Sequence, residues 1–162
     1  MTVQLFNAYA SSLGIDLAYQ DFATEQATLP GKYAPPAGEL LVARDSHGLP
    51  LGCVGLRPIK PNGCCEMKRL FVSHKARNFG LGKALIDAII GEAVRIGYSE
   101  MRLDTLPNMT EAISLYKQSG FASIKPYYDT PITGTVFLSR SLVADPGAHP
   151  ASAINPHEPR GG

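Results

Sequence analysis

The spacing of apolar residues near the amino terminus predicts a helix. Apolar side chains recur there at helical spacing, at Val3, Leu5, Phe6, Tyr9 and Leu13. Gly14 follows, and glycine is the common residue at the left-handed position that ends a helix. A shorter helix is predicted over residues 22–29. Three prolines and two glycines in residues 30–38 predict a loop, which we expect to help line a site.

Apolar runs in the middle of the chain predict a meander of three antiparallel strands. The strands are residues 39–44, 51–57 and 64–72. They are separated by Asp45-Ser46-His47-Gly48 and by Pro61-Asn62-Gly63, whose residue types are those of tight turns. A sheet is therefore predicted before the longest helix.

The most regular helical pattern follows the third of these strands. Apolar residues trace one helix face at Leu81, Ala84, Leu85, Ala88, Ile89, Ala93 and Ile96. Gly97 is predicted to end this helix, because a left-handed glycine commonly follows the last helical residue. Residues 100–105 are then predicted to form another strand.

One more helix and two more strands are predicted after residue 105. Asn108 and Glu111 have the spacing of a capping box, which predicts that Asn108 caps a helix ending at Gly120. The apolar and β-branched residues of 121–124 and 135–142 predict two strands, separated by a segment rich in turn residues.

Composition agrees with one soluble globular domain over residues 1–142. The chain has 162 residues, of which 44% are apolar and 18% charged. Residues 143–162 contain four prolines and no aromatic residue, so we expect a disordered tail. The formal net charge of +1, without long runs of like charge, argues against a nucleic-acid or polybasic membrane surface. The partner is therefore expected to be small.

The amino-terminal residues lack the pattern of a signal peptide. Residues 1–14 have neither a basic start nor a continuous apolar segment. The most apolar stretch, residues 84–90, is interrupted by Asp87 and is too short to cross a bilayer. We therefore expect a cytoplasmic protein without membrane contact.

The three cysteines are expected to be reduced thiols. Cys64 and Cys65 are adjacent, and disulfide geometry does not suit neighbouring residues. No Cys-x-x-Cys pair is present, and His74 is the nearest histidine. No metal site is expected.

Residues 77–82, with the sequence Arg-Asn-Phe-Gly-Leu-Gly, lie between the third strand and the longest helix. Backbone N–H groups at a helix start bind anions, and Gly80 and Gly82 let a diphosphate approach the backbone. A simple tight turn is the alternative. The patterns of a dinucleotide-binding turn and of a nucleotide-binding P-loop are both absent, although a nucleotide-binding switch remains a possible alternative.

Three motifs together resemble the GNAT (Gcn5-related) N-acetyltransferase family. They are Cys-Glu-Met-Lys-Arg-Leu-Phe-Val at 65–72, Arg-x-x-Gly-x-Gly at 77–82 and Leu-Tyr-Lys-Gln-Ser-Gly-Phe at 115–121. The resemblance covers residues 39–142. It implies an α/β (α+β) fold with a central mixed, mostly antiparallel sheet, a splayed strand pair and flanking helices. It also implies direct transfer of an acetyl group from acetyl-CoA to a primary amine of a small molecule or peptide.

The resemblance further implies where acetyl-CoA binds. The strand ending at Val72 would splay from the strand at 100–105, and the pantetheine arm would pair with the exposed backbone, with an N–H near Val72 stabilising the oxyanion. The implied cofactor-binding residues are Leu70, Phe71, Val72, Arg77, Asn78, Phe79, Gly80, Leu81, Gly82 and Lys83.

Two residues are candidate catalysts by resemblance. An alkylammonium must lose a proton before it attacks, and Glu66 is the candidate base. The alternative is a strand glutamate paired with Arg69, Arg102 or another cation. Tyr116 is the candidate acid for the CoA thiolate, because its phenol stays protonated at neutral pH. The alternative for Tyr116 is a buried tyrosine that only packs.

The acceptor side is less clearly marked. Met109 occupies a position where many relatives carry asparagine, and the usual first strand of the family is not evident. Aromatic walls and one carboxylate for an ammonium are predicted at Tyr19, Tyr33, Tyr127, Tyr128 and Asp129. A catalytically silent acyl-CoA-binding regulatory domain is the alternative function. The apolar final strand and the resemblance favour a homodimer.

Overall fold

The computed structural model describes residues 29–143. The predicted helix near the amino terminus, the predicted helix over 22–29 apart from its last residue, and the tail after residue 143 lie outside the described residues. The predictions for them, including the extent of the domain, therefore stay predictions.

The described residues form a sheet of six strands in the order β1-β2-β3-β4-β6-β5. The strands are β1 Glu39–Arg44, β2 Pro50–Ile59, β3 Cys64–Val72, β4 Glu100–Thr105, β5 Ala122–Ser123 and β6 Val136–Ser141. β3 and β4 run parallel, and the other neighbouring pairs run antiparallel. The predicted meander and the mixed, mostly antiparallel sheet are therefore confirmed.

Two α-helices connect the strands, α1 over Leu81–Ile96 and α2 over Thr110–Gln118. Gly97 is left-handed, with φ 106°, and its N–H donates to the carbonyls of Ala93 and Val94, so it ends α1 as predicted. The apolar face of α1 packs on one side of the sheet. The buried residues of this core include Val54, Leu56, Cys65, Met67, Ile86, Ile89, Met101, Leu103 and Leu138.

The predicted cap of α2 is wrong. Met109, not Asn108, is the N-cap, and it makes no side-chain cap hydrogen bond. The Met109 N–H donates to the Leu106 carbonyl at 3.0 Å, and the Met109 carbonyl accepts the Ile113 N–H at 3.0 Å. This turn delays the helix by one residue, so Asn108 precedes the position from which a side chain caps.

A smaller cluster lies on the opposite side of the sheet. Tyr33 and Cys53 are buried there, and partly buried Leu29, Leu40, Val42 and Phe71 pack against them. A Cβ at Gly55 would lie 2.7 Å from the Tyr33 ring, so glycine is needed for this close approach. The loop at 30–38 contains a short 3-10 turn, Gly31–Tyr33. Tyr33, expected as a pocket wall, is a core residue.

β3 and β4 separate partway along their length. They pair over three positions, Cys64 with Glu100, Cys65 with Met101 and Glu66 with Arg102. β3 then continues to Val72 and β4 to Thr105 without pairing to each other. The predicted splayed strand pair is confirmed.

A β-bulge occurs in β3 within the splayed part. Cys53 pairs with Phe71 and Gly55 with Lys68, so two residues of β3 lie opposite one residue of β2. Arg69 lies in the bulge with φ 60°, a left-handed conformation unusual for a residue with a side chain. The bulge therefore redirects β3 just where β3 leaves β4.

Candidate active site

The turn at residues 77–82 forms an open cradle at the start of α1. Asn78 and Gly80 are both left-handed, with φ of 71° and 75°. Gly80 is the N-cap and has no side-chain cap hydrogen bond, and the Ala84 N–H is the donor to its carbonyl, at 3.1 Å. A Cβ at Gly80 would meet no atom within 4 Å among the described residues. The N–H groups of residues 81–83 precede this first helical bond, so they can bind an anion.

The cradle is joined to the end of β3 and to α2. The Arg77 Nε donates to the Val72 carbonyl at 3.4 Å. A Cβ at Gly82 would lie 3.2 Å from the Leu115 Cδ1 and 3.8 Å from a Val72 methyl. The cradle, β3 and α2 therefore meet at Gly82.

The other residues predicted to bind the cofactor lie around this junction. The Phe79 side chain is 83% exposed at the tip of the turn. The Lys83 ammonium forms an ion pair with Asp87, one helical turn further along, at 2.7 Å. Leu70 and Val72 pack against the main core, whereas Phe71 packs against the smaller cluster. The β4-facing edge of these three residues is not paired with β4, so an extended ligand has backbone groups to pair with.

Glu66 is buried at the last paired position of β3, with 1% of its surface exposed. Its Oε1 accepts a hydrogen bond from Arg57 Nε at 2.8 Å and lies 2.7 Å from Arg57 Nη2. Lys68 Nζ is 3.9 Å from the same oxygen. The other Glu66 oxygen, Oε2, accepts a hydrogen bond from the Tyr127 hydroxyl at 2.5 Å. The pairing with a cation that was considered as the alternative exists, and the cation is another one, Arg57.

Tyr116 lies on α2 in the core on the helix side of the sheet, with 7% of its surface exposed. Its ring meets the Phe121 ring edge-on, with centroids 6.0 Å apart. Glu66 lies between Cys65 and Met67, whose side chains belong to the same helix-side core. Because side chains alternate along a strand, Glu66 points to the opposite face. The two candidate catalysts therefore flank the splayed strands from opposite faces.

A second carboxylate lies across the splay from Glu66. The Asp104 Oδ1 on β4 lies 3.7 Å from the Lys68 Nζ on β3. The Tyr128 hydroxyl donates to the Asp104 Oδ2 at 2.5 Å. Burial lowers the pKa of Lys68, the negative charges of Asp104 and Glu66 oppose this shift, and Arg69 and Arg57 add to it. Lys68 therefore bridges β3 and β4 where their backbones no longer pair.

Tyr127 and Tyr128 form an aromatic cluster with Phe137 over this face. The centroid of each tyrosine ring is 5.2 Å from that of Phe137. The Arg102 guanidinium lies 5.5 Å from the centroid of the Tyr127 ring. Burial, followed by the charge of Glu66, raises the pKa of Tyr127, so its hydroxyl keeps its proton. Of the residues predicted for the acceptor side, Tyr127 contacts Glu66, Tyr128 contacts Asp104 and Asp129 is exposed. Tyr19 lies outside the described residues.

Comparison with known proteins identifies a family for this chain. The model of the acetyltransferase (GNAT) family matches residues 3–121. This chain belongs to the GNAT acetyltransferase family.

Two relatives extend the match along most of the chain. An uncharacterized N-acetyltransferase of Schizosaccharomyces pombe is 45% identical over 134 residues, covering 83% of this chain and 82% of the relative. An uncharacterized N-acetyltransferase of Dictyostelium discoideum is 32% identical over 199 residues, covering 85% and 92%. Both names agree with an acyltransferase.

Solved structures share the fold of this GNAT domain. A GNAT-family acetyltransferase of Staphylococcus aureus superimposes with a TM-score of 0.73 at 22% identity, covering 87% of this chain and 93% of that chain. A GNAT-family acetyltransferase of Elizabethkingia anophelis, solved with acetyl-CoA bound, has a TM-score of 0.55 at 25% identity, covering 65% and 76%.

The cysteines of this GNAT domain are free and buried. Burial raises the pKa of Cys53 and of Cys65 to about 12 and also raises the pKa of Cys64, so the thiols stay protonated at neutral pH. None of them is therefore a ready nucleophile. Within residues 29–143, no group of three or more His, Cys, Asp and Glu side chains could hold a metal ion. No helix in that part of the chain is long and apolar enough to cross a membrane.

Sequence reasoning missed the partners of Glu66. Arg57 lies directly opposite Glu66 in the β2–β3 register. Counting back from the Pro61-Asn62-Gly63 turn would have identified this cross-strand pair. Lys68 is two residues from Glu66, so strand alternation would also have predicted that it lies beside Glu66 on the same face of β3. Nothing local in the sequence marks the contact of Tyr127, because it joins residues 61 positions apart.

Proposed function

We propose that this chain transfers the acetyl group of acetyl-CoA directly to a primary amine of a small molecule or peptide. The observation that carries the proposal is the open edge of β3 beside an exposed helix start. β3 leaves β4 after Glu66 and runs on to Val72, and the cradle at residues 77–82 follows within a few residues. One ligand with an extended arm and a diphosphate suits both features.

The residues present fit acetyl-CoA as the donor. The diphosphate would bind the N–H groups at the start of α1, where the helix dipole favours negative charge. Arg77 and Lys83 add positive charge near this point, although Lys83 shares its charge with Asp87. The pantetheine arm would pair with the backbone of Leu70, Phe71 and Val72 in the manner of an added strand.

The proposed chemistry assigns one proton transfer to each face of the sheet. Glu66 takes a proton from the acceptor ammonium, and the freed electron pair on nitrogen attacks the thioester carbon. A backbone N–H near Val72 stabilises the oxyanion that forms. When the C–S bond breaks, the sulfur leaves with its electron pair and takes a proton from the Tyr116 hydroxyl. After the attack the nitrogen loses its second proton to solvent, and Tyr116 regains a proton from solvent, so the net release is the one proton that Glu66 took.

The ion pair of Glu66 with Arg57 is compatible with this role. The guanidinium lies against one oxygen of the carboxylate. It binds Oε1, whereas Oε2 is held by a neutral hydroxyl. The partly buried aromatic rings of Tyr127, which contacts Glu66, and of its neighbour Tyr128 suit a cationic acceptor, since aromatic faces attract ammonium groups.

A thiol-release assay with acetyl-CoA and a panel of amines tests the proposal. We expect turnover with at least one primary amine, and a loss of about 100-fold or more in kcat for Glu66→Gln. Tyr116→Phe should lower kcat with little change in the KM for acetyl-CoA. Thermal unfolding of both variants serves as the control for folding.

Two outcomes would contradict parts of the proposal. Unchanged turnover in both variants would remove the catalytic assignments of Glu66 and Tyr116. Tight binding of acetyl-CoA without turnover on any amine would favour a silent acyl-CoA-binding regulatory domain. Light scattering and fractionation of cells would test the predicted homodimer and the predicted cytoplasmic location.

A further inference from the structure

Two adjacent tyrosines bind one carboxylate on each of the splaying strands. The Tyr127 hydroxyl donates to Glu66 of β3, and the Tyr128 hydroxyl donates to Asp104 of β4, each at 2.5 Å. The two rings meet edge-on with centroids 5.5 Å apart, and both contact Phe137 of β6. The segment between β5 and β6 is therefore fixed to both strands at the point where they separate.

The two oxygens of Glu66 have different surroundings. Oε1 accepts a hydrogen bond from Arg57 Nε, and Arg57 Nη2 and Lys68 Nζ lie 2.7 Å and 3.9 Å from it. Oε2 receives the Tyr127 hydroxyl. A carboxylate oxygen can accept about two hydrogen bonds. Two nitrogens of Arg57 therefore crowd Oε1, whereas among the described residues the Tyr127 hydroxyl is the hydrogen-bond donor to Oε2, which can accept a second one.

The Tyr127 hydroxyl keeps its proton and acts as a hydrogen-bond donor to Glu66. Burial and the neighbouring charge of Glu66 raise its pKa, so the hydroxyl does not itself take up a proton from an acceptor. The Arg102 guanidinium near the centroid of its ring and the edge-on contacts with Tyr128 and Phe137 fix the plane of the ring. The position of the hydroxyl, and hence of Oε2, is set by these contacts.

We propose that Tyr127 is a positioning residue that directs the Oε2 oxygen of Glu66 as the proton acceptor in acetyl transfer. In this step an N–H bond of the acceptor ammonium breaks, its proton goes to Oε2, and the electron pair stays on nitrogen. The nitrogen then attacks the thioester carbon. This inference rests on the proposed function and adds the residue and the oxygen atom through which Glu66 acts.

Tyr127→Phe and Tyr128→Phe form a matched pair of variants. Each removes one hydroxyl with a 2.5 Å hydrogen bond to a carboxylate, and each keeps the ring that fills the aromatic cluster. A loss of activity caused by a weakened segment between β5 and β6 should therefore appear in both variants. A change in proton removal should appear only in Tyr127→Phe, since Tyr128 contacts Asp104 rather than Glu66.

The experiment measures kcat and KM from about pH 5 to 10 for two primary amines whose own pKa values differ. A limb of the pH profile that reflects a group of the protein keeps its midpoint when the amine changes. We expect Tyr127→Phe to lower kcat about tenfold and to move the acidic limb of kcat about one pH unit higher, because the charged carboxylate loses a donor. Tyr128→Phe can alter the KM for the amine but should leave that limb in place.

A double variant gives an independent readout. If Tyr127 acts through Glu66, adding Tyr127→Phe to Glu66→Gln should cause no further loss of kcat beyond about twofold. A further tenfold loss, an unmoved limb in Tyr127→Phe, or equal shifts in both tyrosine variants would overturn the role. A wild-type protein that binds acetyl-CoA but acetylates no amine would instead overturn the proposed function, and this role with it.

Discussion

Gly80→Ala separates an anion cradle from a simple turn at residues 77–82. Gly80 has φ 75°, and a residue with a Cβ is strained there by about 1 kcal/mol. No atom of the described residues lies within 4 Å of the added Cβ, so the loss of stability should come from backbone strain alone. For a chain of this size, about 1 kcal/mol lowers Tm by roughly 2–4 °C.

The same Cβ would stand where the diphosphate has to approach the helix start. Losing one backbone N–H bond to a charged group costs about 1.5–3 kcal/mol, which is roughly a 10- to 100-fold weaker affinity. We therefore expect Gly80→Ala to raise the Kd for acetyl-CoA by about that factor, measured by isothermal titration calorimetry.

Gly48→Ala is the matched control. Gly48 has φ 81°, and its added Cβ would also meet no atom of residues 29–143 within 4 Å, but it lies in the turn between β1 and β2. Its strain should lower stability by about the same 1 kcal/mol without changing the Kd for acetyl-CoA. Equal Kd values for Gly80→Ala, Gly48→Ala and wild type would refute the cradle and leave a tight turn.

Gly82 differs from Gly80 although both belong to one motif. Its added Cβ would face Leu115 and Val72 rather than open space, with 3.2 Å to a flexible leucine methyl. Alanine also favours a helix over glycine by up to about 1 kcal/mol. In the proposed complex the diphosphate therefore approaches at Gly80, whereas Gly82 lies against Leu115 and Val72.

Three further predictions concern parts of the fold outside the cradle. Cys53 and Cys65, with pKa values of about 12, should resist alkylation by iodoacetamide at pH 8 in the folded protein and react after unfolding in urea. Hydrogen bonds from Arg102 and then Ser139 lower the pKa of Glu100 to about 2, so its stabilisation is present above about pH 4.5 and is lost towards pH 2. Glu100→Gln should cost about 1 kcal/mol at pH 7 in urea unfolding, after allowance for solvent screening, and much less near pH 2. Asn108→Ala should change the free energy of unfolding by less than about 0.5 kcal/mol, because Asn108 does not cap α2.

The elements with a clear period could be predicted from the sequence. The predicted limits of β1, β3 and β4 coincide with the structure, and Gly97 ends the longest helix. In each case residues close in sequence determine the element, through alternation, helical spacing or a glycine at its end. The resemblance to a known family then supplied the splay, which no local pattern shows.

The details of the site depend on contacts between distant segments. Arg69 is left-handed within β3, and arginine gives no local signal for that conformation. Tyr33 lies in a loop rich in proline and glycine, yet it is buried because Gly55 leaves room for its ring. The helix start after Asn108 was predicted one residue too early, because the turn from Leu106 to Met109 competes with the capping box. Local sequence rules fail where contacts with a distant part of the chain determine the conformation.

The open part of the sheet is held by side chains instead of backbone pairs. Each unpaired step between β3 and β4 gives up hydrogen bonds that a closed sheet would make. Lys68 and Asp104 lie just beyond the last backbone pair and face each other across the gap, and Tyr127 and Tyr128 fasten a third segment to both strands. Lys68 and Tyr127 also contact Glu66. These two side chains therefore help both to hold the open part of the sheet together and to fix the position of the proposed base.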